Sequence, residues 1–288
     1  MKKKHKKRIL LLLILLFLAA FLFSGYRVLT YLLDSNSAAE QTDSLIEAAV
    51  TLRPAGPPQP SAGTAEEVKP PQEQPAASGS SSGSAVEEPV PADPVQKTNQ
   101  APIVVDFAAL WKKSEDVVAW LYSPDTPINY HVAQAEDNAY YLDHMINGKV
   151  NRAGTLFVDY RNDPAMGDRN TLIYGHAMSI GTMFGTLERY KRQAYYEEHP
   201  VMYLLTPEAD YALDLIAGYM TDVSDPVFDI PATDEAADAQ LEHVLKKSAF
   251  RTKAEIPEDA RLVTLSTCAY DFENARFVVV GVLRELER

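Results

Sequence analysis

A second cysteine is missing from this chain. Cys268 is the only one in 288 residues, so no disulfide can form within it, and small architectures held by disulfide staples are excluded. A basic surplus is missing too: 27 Lys and Arg face 40 Asp and Glu, a formal net charge of −13. Seven of the basic residues but only Asp34 of the acidic ones fall in residues 1–34, so the remainder is more acidic than the whole. A surface of that sign argues against nucleic acid as a partner. There is no HExxH and no Gly-rich phosphate loop after a strand, and "DYRNDPAMGDRN" lacks a calcium-loop pattern. No metal and no organic cofactor are therefore expected. Internal repeats are absent as well.

What is present begins with a basic head, MKKKHKKR (1–8), followed by fifteen residues without a polar side chain, Ile9 to Phe23, and a second apolar stretch, Val28 to Leu33. Fifteen helical residues rise only about 22 Å, but extension to Leu33 spans a bilayer core of roughly 30 Å if Arg27 snorkels. A basic head and a short apolar run also mark a cleaved signal peptide. No small-x-small pair follows Phe23 closely, and Ser37-Ala38-Ala39 is late. Residues 9–33 therefore read as an uncleaved, single-pass transmembrane signal-anchor, with the head cytoplasmic and the rest outside the cell membrane. Outside, a lone thiol is either a fortuitous buried group or a reactive one, and composition alone leaves both open.

Residues 34–100 are rich in Pro, Ser, Gly, Ala and Glu, as in "RPAGPPQPSAGTAEE". So little apolar surface predicts a disordered linker that holds a folded domain off the membrane and leaves it mobile. Residues 101–288 form the folded domain. Helical spacing marks "VDFAALWKKSEDVVAWLY", and short strand-like segments bounded by Gly, Pro, Asn or Asp follow: INYHVAQ, GTLFVDY, NTLIYGHA, PVMYLLTP, ADYALDLIAGYMTD, RLVTLSTC and ARFVVVGVLREL. "TMFGTLERYKRQAYYEEHP" reads as a helix, and so does "TDEAADAQLEHVLKKSAF" behind an N-cap at Thr233. The fold class is mainly β (α+β), a barrel or sandwich with peripheral helices.

Cys268 closes the apolar run LVTLSTC, and Arg276 opens RFVVVGVL after the loop AYDFENA. A hairpin there brings Cys268 and Arg276 together at one rim of the sheet. A guanidinium beside a thiol favours thiolate and can hold an oxyanion; alternatively Arg276 merely pairs with Asp271 or Glu273. A thiol nucleophile also wants an imidazole. His199 and His243 read as solvated surface groups, and His131 and His144 lack local context. His176 ends the strand NTLIYGH and suits the same rim.

These segments together resemble a sortase of class B. TLSTC (264–268) is similar to the family's nucleophile motif, NTLIYGHAM (170–178) to its histidine segment, and RFVVVGVL (276–283) to its arginine-led last strand. "AQAEDNAYYLDHMINGKVNRAGTLFVDYRN" (133–162) and the helix near 233–249 add to the likeness, which covers about residues 105–288. The resemblance implies an eight-stranded sortase-type β-barrel and a membrane-anchored cysteine transpeptidase. In it Cys268 is nucleophile, His176 acid and base, and Arg276 oxyanion or substrate-backbone holder. Asn138, Leu142, Tyr174 and Ser266 match positions lining the substrate groove. Implied partners are surface proteins with a C-terminal sorting signal of the NPxTN, NPxTG or SPxTG kind, and an amine from a peptidoglycan precursor or cross-bridge. Ala269, where some relatives carry an acid, puts the signal preference in doubt. Other readings are a pilus-polymerising enzyme that uses a pilin lysine, a peptidase that only hydrolyses, and a catalytically silent wall-binding scaffold. In the scaffold Cys268 would be a plain core thiol; in the enzymes its thiol is expected to be partly buried in the groove, shielded from oxidation.

Overall fold

A computed structural model describes residues 2–54, 99–268 and 274–288. Eight strands close a barrel: β3 (Val117–Tyr122), β4 (Asn129–Ala133), β5 (Leu156–Val158), β6 (Asn170–Gly175), β7 (Val201–Leu205), β8 (Asp210–Asp222), β9 (Leu262–Cys268) and β10 (Ala275–Leu286). Their order around it is β10-β8-β7-β3-β4-β5-β6-β9. Most neighbours are antiparallel, but β4–β5 and β6–β9 are parallel. Closure leaves no free sheet edge among these strands.

The last strand explains how the wall is held. In β10, Phe277 and Val279 face the barrel interior with Leu213, Leu265 and Ile173. Val278, Val280 and Val282 face outward, against Ile216, Val244 and Leu262. Val244 belongs to α5 (Asp234–Lys247), which covers this part of the wall. Thr233 caps α5 as expected, its side chain accepting from the Ala236 N–H. A strand buried on both faces reads as a continuous apolar run, as RFVVVGVL does, and each buried Val or Leu contributes about 1.5–3 kcal/mol.

Two expectations are corrected elsewhere in the chain. "VDFAALWKKSEDVVAWLY" is not one helix: α2 (Phe107–Trp111) is a short turn of helix capped by Asp106, and Val117–Tyr122 is strand β3. β3 is buried at Val117, Ala119, Trp120 and Leu121, so it shows no strand alternation and passes for helix. The single helix expected around 182–200 is instead a 3-10 turn, Leu187–Lys191, followed by α4 (Gln193–Glu198).

The larger correction concerns residues 34–54. The N-terminal helix α1 (Lys2–Ala49) does not end near Leu33; it continues and leads into β1 (Val50–Leu52). β1 pairs antiparallel with β2 (Ile103–Val105), just before the barrel begins. Ser35, Ala38, Thr42, Leu45 and Ala49, spaced three and four apart, form a stripe on one helix face. Leu45 and Ala49 are buried with Ile103, Phe107, Leu110 and Trp120, forming a second outer layer. This first part of the expected linker is therefore built into the domain. Residues 55–98 of it lie outside the described residues.

Candidate active site

The parallel pair β6–β9 and the antiparallel pair β9–β10 place three residues side by side. Gly175 is registered with Thr267, so His176 and Cys268 follow together at the ends of adjacent strands. Across the next pair, Arg276 is the Cα partner of Cys268. The expected hairpin is thus present, and His176, Cys268 and Arg276 occupy successive strands at one rim. The loop residues 269–273, with Ala269, Asp271 and Glu273, lie outside the described residues, as does the expected partial burial of the Cys268 thiol.

Each neighbour of the rim is set by local sequence. Gly175 has no Cβ because Leu156 Cδ2 and Phe184 fill that space, so the strand packs flush up to His176. The His176 carbonyl accepts from the Phe184 N–H at 2.9 Å, turning the chain back into the 3-10 region. The half-buried His176 ring has its Nε2 2.6 Å from the Leu142 carbonyl. Leu142 is on α3 (Tyr140–Asp143), which starts where the Asp137 carboxylate accepts from Ala139 and Tyr140 N–H groups. Gly154, at φ +59°, lets α3 lie close, since a Cβ there would meet the Tyr141 and Leu142 carbonyls.

A cleft of about 570 Å³ opens at this rim. Asn138, Leu142, Tyr174, His176, Ser266 and Arg276 all line it, so the structure brings together every sequence-derived site residue whose side chain is described. One wall comes from residues 223–229, after β8. Asp225 holds that wall: its carboxylate, 1% exposed, meets Lys247 Nζ at 2.6 Å and His243 Nε2 at 3.0 Å, and accepts from the Thr221 hydroxyl and the Val227 N–H. Burial pushes the Asp225 carboxyl up, but Lys247, Thr221 and Val227 outweigh it and leave it at about 2. His243, expected on a solvated face, is thus engaged with Asp225. Asn170 and Gln240 fasten the same wall by donating to carbonyls of residues 226–229.

Asp159 and Arg161 are cleft residues to which the sequence reading gave no role. Asp159 is fully buried; Arg161 forks onto it from Nε at 2.9 Å and Nη2 at 2.8 Å. Asn138 Nδ2 and the Tyr174 hydroxyl donate to the same carboxylate at 3.0 and 3.1 Å. Burial alone would raise the Asp159 carboxyl; the Arg161 and Asn138 hydrogen bonds hold it below the usual carboxylate range. Burial and then the Asp159 charge push the Tyr174 phenol up, so it stays a neutral donor. The available signal was the closeness of Asp and Arg in "DYR": residues 159–162 form a turn, closed by the Asn162 N–H donating to the Asp159 carbonyl at 3.0 Å. Ser266, also in the cleft, is buried, and its hydroxyl has no hydrogen-bond partner among the described residues. Among those residues no group of three or more His, Cys, Asp or Glu could hold a metal ion.

No family model matches the chain. It is 35% identical over 178 residues to sortase B of Listeria monocytogenes, covering 60% of this chain and 72% of that protein. It is 32% identical over 178 residues to sortase B of Staphylococcus aureus, covering 61% and 73%. The fold matches a crystal structure of sortase B complexed with triglycine, with a TM-score of 0.59 at 30% identity, over 63% of this chain and 86% of that one.

Proposed function

Because this chain belongs to the sortase B family and is a cysteine transpeptidase by that membership, we propose that Cys268, His176 and Arg276 carry its reaction. The substrate is a protein with a C-terminal sorting signal of the NPxTN, NPxTG or SPxTG kind, cut after Thr. The Cys268 thiolate attacks the Thr carbonyl carbon, and the carbonyl electrons move onto oxygen. Arg276 stabilises that oxyanion. As the oxyanion collapses, the C–N bond breaks and His176 gives its proton to the leaving amine. A thioacyl-enzyme remains. An incoming amine loses a proton to His176 and attacks the thioester, forming the new amide and returning Cys268 as thiolate. Where no amine is present, water takes its place and the enzyme hydrolyses.

The observation that carries this reading is the strand register: the three residues required sit on adjacent strands at the mouth of one cleft. A cell-wall cross-bridge amine is the proposed acceptor, and the triglycine complex of the related sortase B supports a glycine amine there. Asn138, Leu142, Tyr174 and Ser266 bind the signal. The reaction runs at the outer face of the membrane in which α1 is anchored.

The full-length chain, wild type and Cys268→Ala, incubated with xPxTx peptides with and without triglycine, tests this by mass spectrometry. Cleavage after Thr, an adduct only in the wild type and ligation only with triglycine are expected. Ligation to a lysine side chain but not to triglycine would instead make it a pilus polymerase. Folded protein that forms no adduct with any peptide would remove the enzymatic reading.

A further inference from the structure

Twenty consecutive positions of α1, Leu10 to Leu29, are all exposed, and burial against the barrel begins within one turn, at Tyr31. Twenty helical residues are about 30 Å long, the thickness of a hydrocarbon core. The helix has a window of mean hydropathy 2.2 and passes into the barrel without a break. Hence no spacer separates the end of the apolar span from the catalytic domain.

Two loops grip that exit point. The Tyr31 hydroxyl and Ser179 Oγ are 2.6 Å apart. Asn151 Nδ2 donates to the Asp34 carbonyl at 2.7 Å and to Ser37 Oγ at 2.8 Å, and the Arg152 guanidinium lies 5.6 Å from the Tyr31 ring centre. Beside these contacts the same loops expose Ile180 (53%) and Val150 (71%). Residues 144–158 and 169–187, which include both loops, contain no acidic side chain in a chain that has 40, while Lys149 and Arg152 are exposed.

From these contacts we infer that the barrel is docked on the membrane surface, with Val150, Ile180, Lys149 and Arg152 in the headgroup layer of the leaflet that α1 leaves. Interfacial apolar tips flanked by basic side chains fit an anionic lipid surface. His176 is three residues before Ser179, and three residues reach at most about 10 Å. The cleft therefore works at a fixed, small height above the bilayer. The far end of α1 points away from it: Arg53, just past β1, is 3.7 Å from Asp210 at the β7–β8 turn, and Glu208 in that turn is exposed. Tyr31 and Ala49 are about 27 Å apart along the helix, so Glu208 marks the distal side.

The inference rests on α1 crossing a membrane, and the test separates the two claims. Full-length Cys268→Ala protein carries a single added cysteine, Ile180→Cys, Val150→Cys or Glu208→Cys, labelled with a polarity-sensitive fluorophore. It is placed in phosphatidylcholine bilayers, with and without phosphatidylglycerol, containing a headgroup nitroxide quencher. Labels at 150 and 180 are expected to be quenched several-fold more than at 208, more so with phosphatidylglycerol. A flexible Gly/Ser insert of about ten residues between Leu29 and Thr30 should abolish the difference. Equal quenching at all three sites, in protein that resists alkaline extraction, overturns the docking and leaves the anchor standing. Protein that alkaline extraction removes from the bilayer overturns both.

Discussion

Arg276 and Cys268 are directly paired across β9 and β10, and on its other side Arg276 pairs with Thr221 of β8. The guanidinium Nη1 donates to the adjacent Ala275 carbonyl at 2.9 Å, so the head group is folded back onto its own strand. The Thr221 hydroxyl is in turn held by Asp225. The two strand ladders thus fix the Arg276 backbone from both sides. Arg276→Ala should lower kcat about 10²–10³-fold with KM much less affected, as loss of an oxyanion donor does. Arg276→Lys keeps the charge but loses the planar fork and should restore only a small part of the rate. Steady-state peptide cleavage with both variants checks this; a raised KM with kcat unchanged would assign Arg276 to ground-state binding.

Asp159 is a buried charge with four side-chain hydrogen bonds inside the cleft wall. Asp159→Asn leaves Arg161 without its fork and Tyr174 and Asn138 without their acceptor, at a cost of about 2–3 kcal/mol. Urea unfolding reads that loss. KM for the sorting peptide should rise as well, since the positions of two signal-binding residues depend on this carboxylate. Unchanged stability would mean that the network rearranges around the amide without cost.

Ser266 offers the opposite case. Its buried hydroxyl has no partner among the described residues, so Ser266→Ala removes an unmet desolvation cost and should leave stability unchanged or slightly higher. If the hydroxyl bonds the substrate, KM should rise roughly three- to tenfold, matching a hydrogen bond of about 0.5–1.5 kcal/mol. A variant with lowered stability and unchanged KM would show the hydroxyl serving the fold instead.

The parts of this molecule that were legible in sequence are those where one segment fixes its own geometry. TLSTC and RFVVVGVL are long apolar runs joined by a short loop, so their pairing and the Cys268–Arg276 register follow from chain connectivity. Thr233 announces α5 in the same local way. The docking of α1 was hidden because its buried stripe is made of Ser35, Ala38, Thr42 and Ala49 around a single Leu45, small residues that look like linker composition. β3 was hidden by the loss of alternation in a strand covered on both faces. Asp159 and Arg161 acquire meaning only when Asn138 and Tyr174, from distant segments, arrive at the same carboxylate.

His131 is a buried titratable group that the reaction does not use. Its ring lies 6.1 Å from that of Trp120, it is 5% exposed, and neither nitrogen has a partner among the described residues. Burial pulls its pKa from 6.5 down to about 4. Between those values the unfolded chain binds a proton that the native chain refuses, so stability rises with pH through that window. Acidification from above 6.5 to about 4 should cost about 3 kcal/mol from this group. His131→Leu keeps the volume and removes the titration, so its urea midpoint should fall less between pH 7.5 and 4.5 than that of the wild type. At neutral pH the variant should be at least as stable, because no hydrogen bond is lost. Asp225 titrates below this window, near 2, and does not confuse the comparison. Parallel pH dependences for the two proteins would show that His131 finds a proton-stabilising partner in the native state.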